Sequence, residues 1–193
     1  MPNPSLDDAA LFDAVVTVVT RRGFDELTLS DVASESGVDV RTLARSFPTK
    51  QALARGAFAQ VFSRVSDELT VAVGERYGMD AIQVFIHTLL PDTAGKVTAA
   101  HLLLPFWQLA LHDDDLAAAS SSASDTWRLL LRTWLREGMA EGDIRADVPV
   151  DAVTEMVLNW VAGTQTAALG QARFNSADQL RSQAEAMLEL LRG

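Results

Sequence analysis

The chain has 193 residues, 48% of them hydrophobic, and a formal net charge of -10 from 16 Lys plus Arg against 26 Asp plus Glu. That apolar share can bury a sizeable core, so a globular protein is expected, and the acid excess confines any affinity for polyanions to a local patch. The absence of cysteine excludes disulfides, thiolate metal sites and a cysteine nucleophile together.

Met1 to Leu6, followed by Asp7 and Asp8, carries no basic leader. No apolar run approaches the ~20 residues that a membrane span requires, so a cytoplasmic protein without a membrane partner is expected. Apolar residues then recur at three and four: Leu11, Phe12, Val15, Val16, Val18 and Val19 form a first helix that Gly23 stops. Thr28 and Asp31 are a capping pair for a second helix ending at Gly37. Asp39 caps a third, Val40 to about Phe47; Pro48 ends it, and Thr49 caps a fourth through Leu53, Phe58, Val61, Phe62 and Val65. Further helices are expected near 79–90, 96–112, 116–141, 150–170 and 176–192, separated by Gly, Pro and Asp breaks. No strand alternation, repeat or low-complexity linker interrupts this all-α pattern.

The stretch 36–50, SGVDVRTLARSFPTK, reads as a Gly turn followed by a groove-sized helix. Val38 and Leu43 fall inward, while Arg41, Thr42 and Arg45 fall outward and Lys50 opens the next helix. Arginine can bond guanine bidentately or grip phosphate, and a helix N-terminus favours an anion. A helix-turn-helix that enters the major groove and a plain solvated face both satisfy this spacing.

The longer stretch RRGFDELTLSDVASESGVDVRTLARSFPTKQAL, residues 21–53, resembles the N-terminal DNA-binding segment of the TetR family of bacterial transcriptional repressors. The matching positions are Gly23 and Phe24, Thr28, Asp31, Val32 and Ala33, Gly37 and Val38, Thr42 and Leu43, Phe47, Lys50 and Leu53. The resemblance implies a three-helix helix-turn-helix head at 1–55, joined by a fourth helix to a larger helical effector-binding and dimerisation domain at 56–193. It implies DNA contacts from Thr28, Ser30, Arg41, Thr42, Arg45, Ser46, Thr49 and Lys50, a palindromic double-stranded operator, and a homodimeric repressor released by a small molecule. Two positions depart from the pattern: Ala44 replaces the usual aromatic residue, and Ser46 a second aromatic or histidine. They favour an alternative reading, a module of the same fold whose DNA binding has decayed.

In the remainder, HLLLPFWQLALH (101–112) places Phe106 and Trp107 on an apolar side, and Pro105 withholds a hydrogen bond from the carbonyl of His101. A kinked core helix is the favoured reading of this pattern, and a pocket wall is the other. His101, Phe106 and Trp107, with Trp127 and Trp134 as alternates, are the expected lining of a pocket for an apolar or amphipathic effector. His101, Gln108 and His112 share a face but lack a third strong ligand at suitable spacing, so that face is expected to be solvated, with no metal or cofactor. Arg128, Arg132 and Arg136 at four-residue steps are expected to line a solvated face. Small residues Ala162, Gly163, Thr166, Ala167 and Gly170 permit close helix approach, and Leu180, Ala184, Met187, Leu188 and Leu191 make the last helix apolar on one side. A four-helix dimer interface is expected from them. No nucleophile elbow, phosphate-binding Gly-rich loop or His-Glu-x-x-His is present, so no enzyme is expected.

Overall fold

The computed structural model describes residues 8–168 and 176–193. Its helices are α1 (Asp8–Arg22), α2 (Leu29–Ser36), α3 (Val40–Ser46), α4 (Lys50–Val73), α5 (Gly78–Leu89), α6 (Ala94–Ala110), α7 (Asp114–Glu141), α8 (Val150–Ala167) and α9 (Ala177–Leu191). Among the described residues there is no strand, and one isolated antiparallel bridge joins Ile144 to Arg192. None of these helices is long and apolar enough to cross a membrane.

Capping chemistry sets the boundaries where the sequence predicts them. The Thr28 hydroxyl accepts from the Asp31 N–H at 3.1 Å, and the Asp39 carboxylate accepts from Arg41 and Thr42 N–H at 3.0 and 3.2 Å. Thr49 accepts from the Ala52 N–H at 3.0 Å, and Ser176 with Gln179 closes a reciprocal box on α9. Each satisfies N–H groups that a helix start leaves without a partner. Gly37 ends α2 at φ 71°, a left-handed conformation that lets the chain turn directly into α3.

The chain divides into two compact units. The first runs to Arg64 and includes Leu102–Ser120; the second comprises Val65–His101 and Ser121–Gly193. In the first, Leu11, Val15, Val32, Leu43, Leu53 and Ala54 meet in one core that also takes in Phe106 and Leu116. The Phe12 ring lies edge-on to Phe47 at 5.8 Å. It fits there because position 56 is glycine: a Cβ on Gly56 would stand 2.5 Å from Phe12 Cε1. Asp113 caps α7 through the Leu116 N–H at 3.0 Å, and Arg55 bridges Asp113 and Asp115 at 3.2 and 2.8 Å. That backbone donor, with Arg55 in support, holds the Asp113 carboxyl below the usual aspartate range against the opposing effect of burial.

In the second unit, Ile82, Phe85 and Ile86 of α5 pack with Leu131 and Leu135 of α7, Val157 and Val161 of α8, and Leu180, Ala184 and Leu188 of α9. Helices α5 and α7 cross glycine on glycine. A Cβ on Gly78 would lie 3.2 Å from Gly138 Cα, and one on Gly138 would lie 2.6 Å from Ile144 Cδ1. The Gly78 N–H donates to the Glu137 carboxylate at 3.2 Å beside this crossing. The arginine row of α7 is not the simple solvated face that its spacing predicts. Arg128 pairs with Glu155 of α8, and Arg132 Nε lies 2.9 Å from Asp151 in an ion pair whose angle falls short of a hydrogen bond.

Candidate nucleic-acid interface and ligand cavity

The α2–α3 pair presents the predicted DNA-contacting side chains outward. Thr28, Ser30, Arg41, Arg45, Ser46 and Thr49 are exposed and Thr42 is half-buried, while Leu43 is buried beneath them. The acids of this region are largely engaged elsewhere. Asp31 pairs with Arg22 at 2.8 Å, Glu35 with Arg21 at 3.0 Å, and Asp39 is turned onto the α3 N-terminus. The Thr28 hydroxyl, then the Arg22 guanidinium, hold the Asp31 carboxyl below the usual aspartate range despite some burial. Arg41 and Arg45 form no ion pair among the described residues; Arg45 Nε donates to the Arg41 carbonyl at 3.3 Å, which sets its direction along the helix. A chain of net negative charge thus keeps two uncompensated guanidinium groups on one short helix.

Lys50 departs from its predicted place as a free phosphate grip. Its ammonium donates to the carbonyls of Phe24 and Asp25 at 3.5 and 3.1 Å and stands 4.9 Å from the centroid of the Phe24 ring. The first half of the α1–α2 loop brings the Phe24 and Asp25 carbonyls to the start of α4, where the ammonium donates to them. Thr28 is likewise engaged as a cap, and its hydroxyl also donates to the Asp31 carboxylate at 2.6 Å.

Within the second unit, α4 and α7 enclose a cavity of about 280 Å3 lined by Ser66, Leu69, Thr70, Val73, Gly74, Arg76, Thr126, Trp127, Leu130 and Trp134. Both indoles rest against Phe85, with ring centroids 5.9 and 6.0 Å from it, so the aromatic wall is fixed by the core behind it. A larger groove of about 540 Å3 is more open and lined mainly by polar and charged residue types, Glu68, Arg76, Asp80, Gln83, His87 and Lys96 among them. The smaller cavity, with two indoles, two leucines and a valine in its lining, better fits the apolar and aromatic character of ligand sites, and its volume falls just below their ~300–1,000 Å3 range.

Trp127 and Trp134 therefore lie together, as the sequence allows, but Phe106 does not join them. It is 1% exposed and packs on Phe58 at 5.7 Å in the core of the first unit, because the Phe106 end of α6 belongs to that unit. Trp107 is half-buried and does not line the cavity, and the His101 side chain falls outside the described residues. Sequence reasoning missed the α4 wall. Ser66, Leu69, Thr70 and Val73 carry it at three- and four-residue spacing, a signal present in the sequence but absorbed into the long apolar pattern of α4.

The expected dimer surface also needs correction on α9. Leu180, Ala184, Met187, Leu188 and Leu191 are at most 9% exposed and serve the chain's own core, so they offer no face to a partner. The outward residues of α9 include Ser182, Ala186 and Leu190, the last 71% exposed. On α8, Gly163 and Thr166 are exposed as expected, in register with Met156 and Asn159. Ala162 and Ala167 are half-buried, and Gly170 lies outside the described residues.

Residues 78–193 match the family model for the C-terminal domain of BetI-type transcriptional repressors, and residues 11–57 match that for bacterial regulatory proteins of the tetR family. No curated protein matches the sequence. Among solved structures, a transcriptional regulator from Saccharomonospora viridis in complex with choline is similar at TM-score 0.85 and 18% identity, over 94% of this chain and 95% of that one. A TetR transcription regulator from Haloarcula marismortui also reaches TM-score 0.85 at 18% identity, over 97% and 99%. The fatty acid degradation regulator FadR from Bacillus halodurans reaches 0.76 at 17%, over 95% and 98%. At such identities the likeness is one of fold. The first model spans α5 to α9 and the second takes in the outward-facing α2–α3 pair, and the chain belongs to the TetR family of transcriptional regulators.

Proposed function

We propose that this regulator is a homodimeric repressor, with residues 1–55 as its DNA-binding domain and 56–193 as its effector-binding and dimerisation domain. An apolar or amphipathic small molecule in the α4–α7 cavity releases it from a palindromic operator. The observation that carries the DNA-binding half is the pair of unpaired guanidinium groups on α3, Arg41 and Arg45, on a head whose nearby acids are engaged with Arg21, Arg22 and backbone N–H groups. Arg41 and Arg45 read base edges, while Ser30, Thr42, Ser46 and Thr49 reach the phosphate backbone. Dimerisation through the Met156, Asn159, Gly163 and Thr166 face of α8 with the outward face of α9 spaces two heads for half-sites one helical turn or a multiple apart. Ligand and DNA then favour different arrangements of the heads and antagonise each other reciprocally.

Choline, the ligand of the Saccharomonospora viridis protein, is not carried over to this chain. The cavity lining contains Arg76 and no carboxylate. The test is fluorescence anisotropy with selected and scrambled duplexes across a salt series. Arg41→Ala and Arg45→Ala are expected to relax preference at particular base pairs by ~1–3 kcal/mol each, where the lost contact is bidentate to guanine. Absence of preference for any selected duplex, with residual binding indifferent to both changes, replaces this reading with its alternative. That alternative, a ligand-binding module without an operator, is favoured by the small exposed side chains of Ala44 and Ser46 on the same helix.

A further inference from the structure

We propose that the α4–α7 cavity selects ligands that join an apolar body to an anionic head, with Trp127 and Trp134 flanking the body and Arg76 receiving the head. The inference rests on the reading of this cavity as the effector site and deepens it to a chemical class. Leu69, Val73, Leu130 and the two indoles supply apolar wall. Thr70 and Thr126 donate their hydroxyl protons to the carbonyls of Ser66 and Ser122, at 2.8 and 3.4 Å, so those protons are not offered to a ligand. Arg76 is the charged donor in the lining, and no Asp or Glu lines the cavity with it.

The guanidinium is also held in place. Its Nη1 donates to the carbonyls of Ala72 and Val73 at 2.9 and 3.3 Å, closing the end of α4, while its Nε and Nη2 have no hydrogen bond among the described residues. Glu68 and Asp80 line the neighbouring groove together with Arg76, yet neither pairs with it. A positioned guanidinium with free donors at the end of an aromatic slot matches a carboxylate or another oxyanion, which it can bond by two parallel N–H groups. A quaternary ammonium head gains from the indole faces but meets the like charge of Arg76 without a carboxylate to offset it. The balance therefore falls to the anion.

Three probes that share one tail separate the head charge from the apolar body: octanoate, octanol and octyltrimethylammonium. Binding to the full-length protein is followed by tryptophan quenching and by calorimetry near neutral pH. Octanoate is expected to bind about tenfold or more tighter than octanol, the size of effect a charge-assisted hydrogen bond supplies, and octyltrimethylammonium weakest of the three. Arg76→Gln is expected to bring octanoate down to the level of octanol. Arg76→Lys keeps the charge and is expected to retain most of the difference, which separates a lost head contact from a disturbed α4 end. Trp127→Leu is expected to weaken octanoate and octanol together. Equal affinity for the three probes, a preference for the cationic one, failure of all three to bind, or octanoate binding indifferent to Arg76→Gln overturns the proposal. Duplex anisotropy run in parallel keeps the two readings distinguishable: octanoate that binds as expected without releasing DNA leaves the ligand class standing and removes the effector role.

Discussion

Gly56→Ala is a perturbation whose two effects oppose each other and can be weighed from the structure. Glycine inside α4 costs about 1 kcal/mol relative to alanine through backbone entropy, so the exchange alone should stabilise the helix. Against this, the new Cβ would stand 2.5 and 2.6 Å from Phe12 Cε1 and Cζ, with Phe47 Cε1 at 3.5 Å. The Phe12 ring is 9% exposed and already braced edge-on by Phe47. It must retreat by most of an ångström into a filled core, an overpacking that typically costs ~1–3 kcal/mol. The expected net result is a loss of up to ~2 kcal/mol, or a melting point lower by a few degrees for a chain of this size. Phe47 closes α3, so the displacement also reaches the helix that carries Arg41 and Arg45. Gly95→Ala is the control, since a Cβ there meets nothing within 4 Å. Urea denaturation of the two variants, with a Phe12→Leu background to complete a double-mutant cycle, isolates the clash. If Gly56→Ala stabilises the protein as Gly95→Ala does, and the cycle shows no coupling, the packing argument for position 56 is wrong.

Lys50→Ala removes contacts to two loop carbonyls and the Phe24 ring, so denaturant melts are expected to show a loss of about 1–2 kcal/mol, and an unchanged midpoint would remove this structural role. Around Asp92, burial raises the carboxyl pKa, but hydrogen bonds and charge from Lys96 and Arg181 together outweigh it and leave the group below the usual aspartate value. A pKa depressed by folding gives stability that is present above the unfolded value of ~3.9 and lost as pH falls through the folded one. Denaturant midpoints taken from neutral to strongly acid pH should decline on that acid limb, and less so in Asp92→Asn; an identical limb in the variant rules Asp92 out as its source. Gly163→Arg places bulk and charge on the outward face of α8 and is expected to shift the molar mass by light scattering toward monomer, whereas an unaltered dimer moves the interface elsewhere.

The helical plan and the head were legible because each boundary rests on a local group: Thr28, Gly37, Asp39 and Thr49 perform the capping and turning that their types and spacing announce. What stayed hidden depends on partners distant in the chain. Nothing near Lys50 in sequence points to the carbonyls of Phe24 and Asp25. Phe106 and Trp127 look alike as aromatic residues on apolar helices, and only the path of α6 assigns one to the first core and the other to the cavity. An apolar stripe such as Leu180 to Leu191 serves a partner or the chain's own core with the same periodicity, and here the core takes it.

The crossing of α5 and α7 limits what sequences can occupy this fold. At most close contacts a larger side chain on one helix can be accommodated by a smaller one opposite, so related chains exchange volume between the two positions. Gly78 and Gly138 leave no such exchange, because a side chain at 78 meets the backbone of 138 itself and one at 138 meets Ile144. In a library that varies positions 78, 138 and 144 together, position 138 can be rescued by trimming Ile144. Position 78 has no rescuing partner and should return glycine alone.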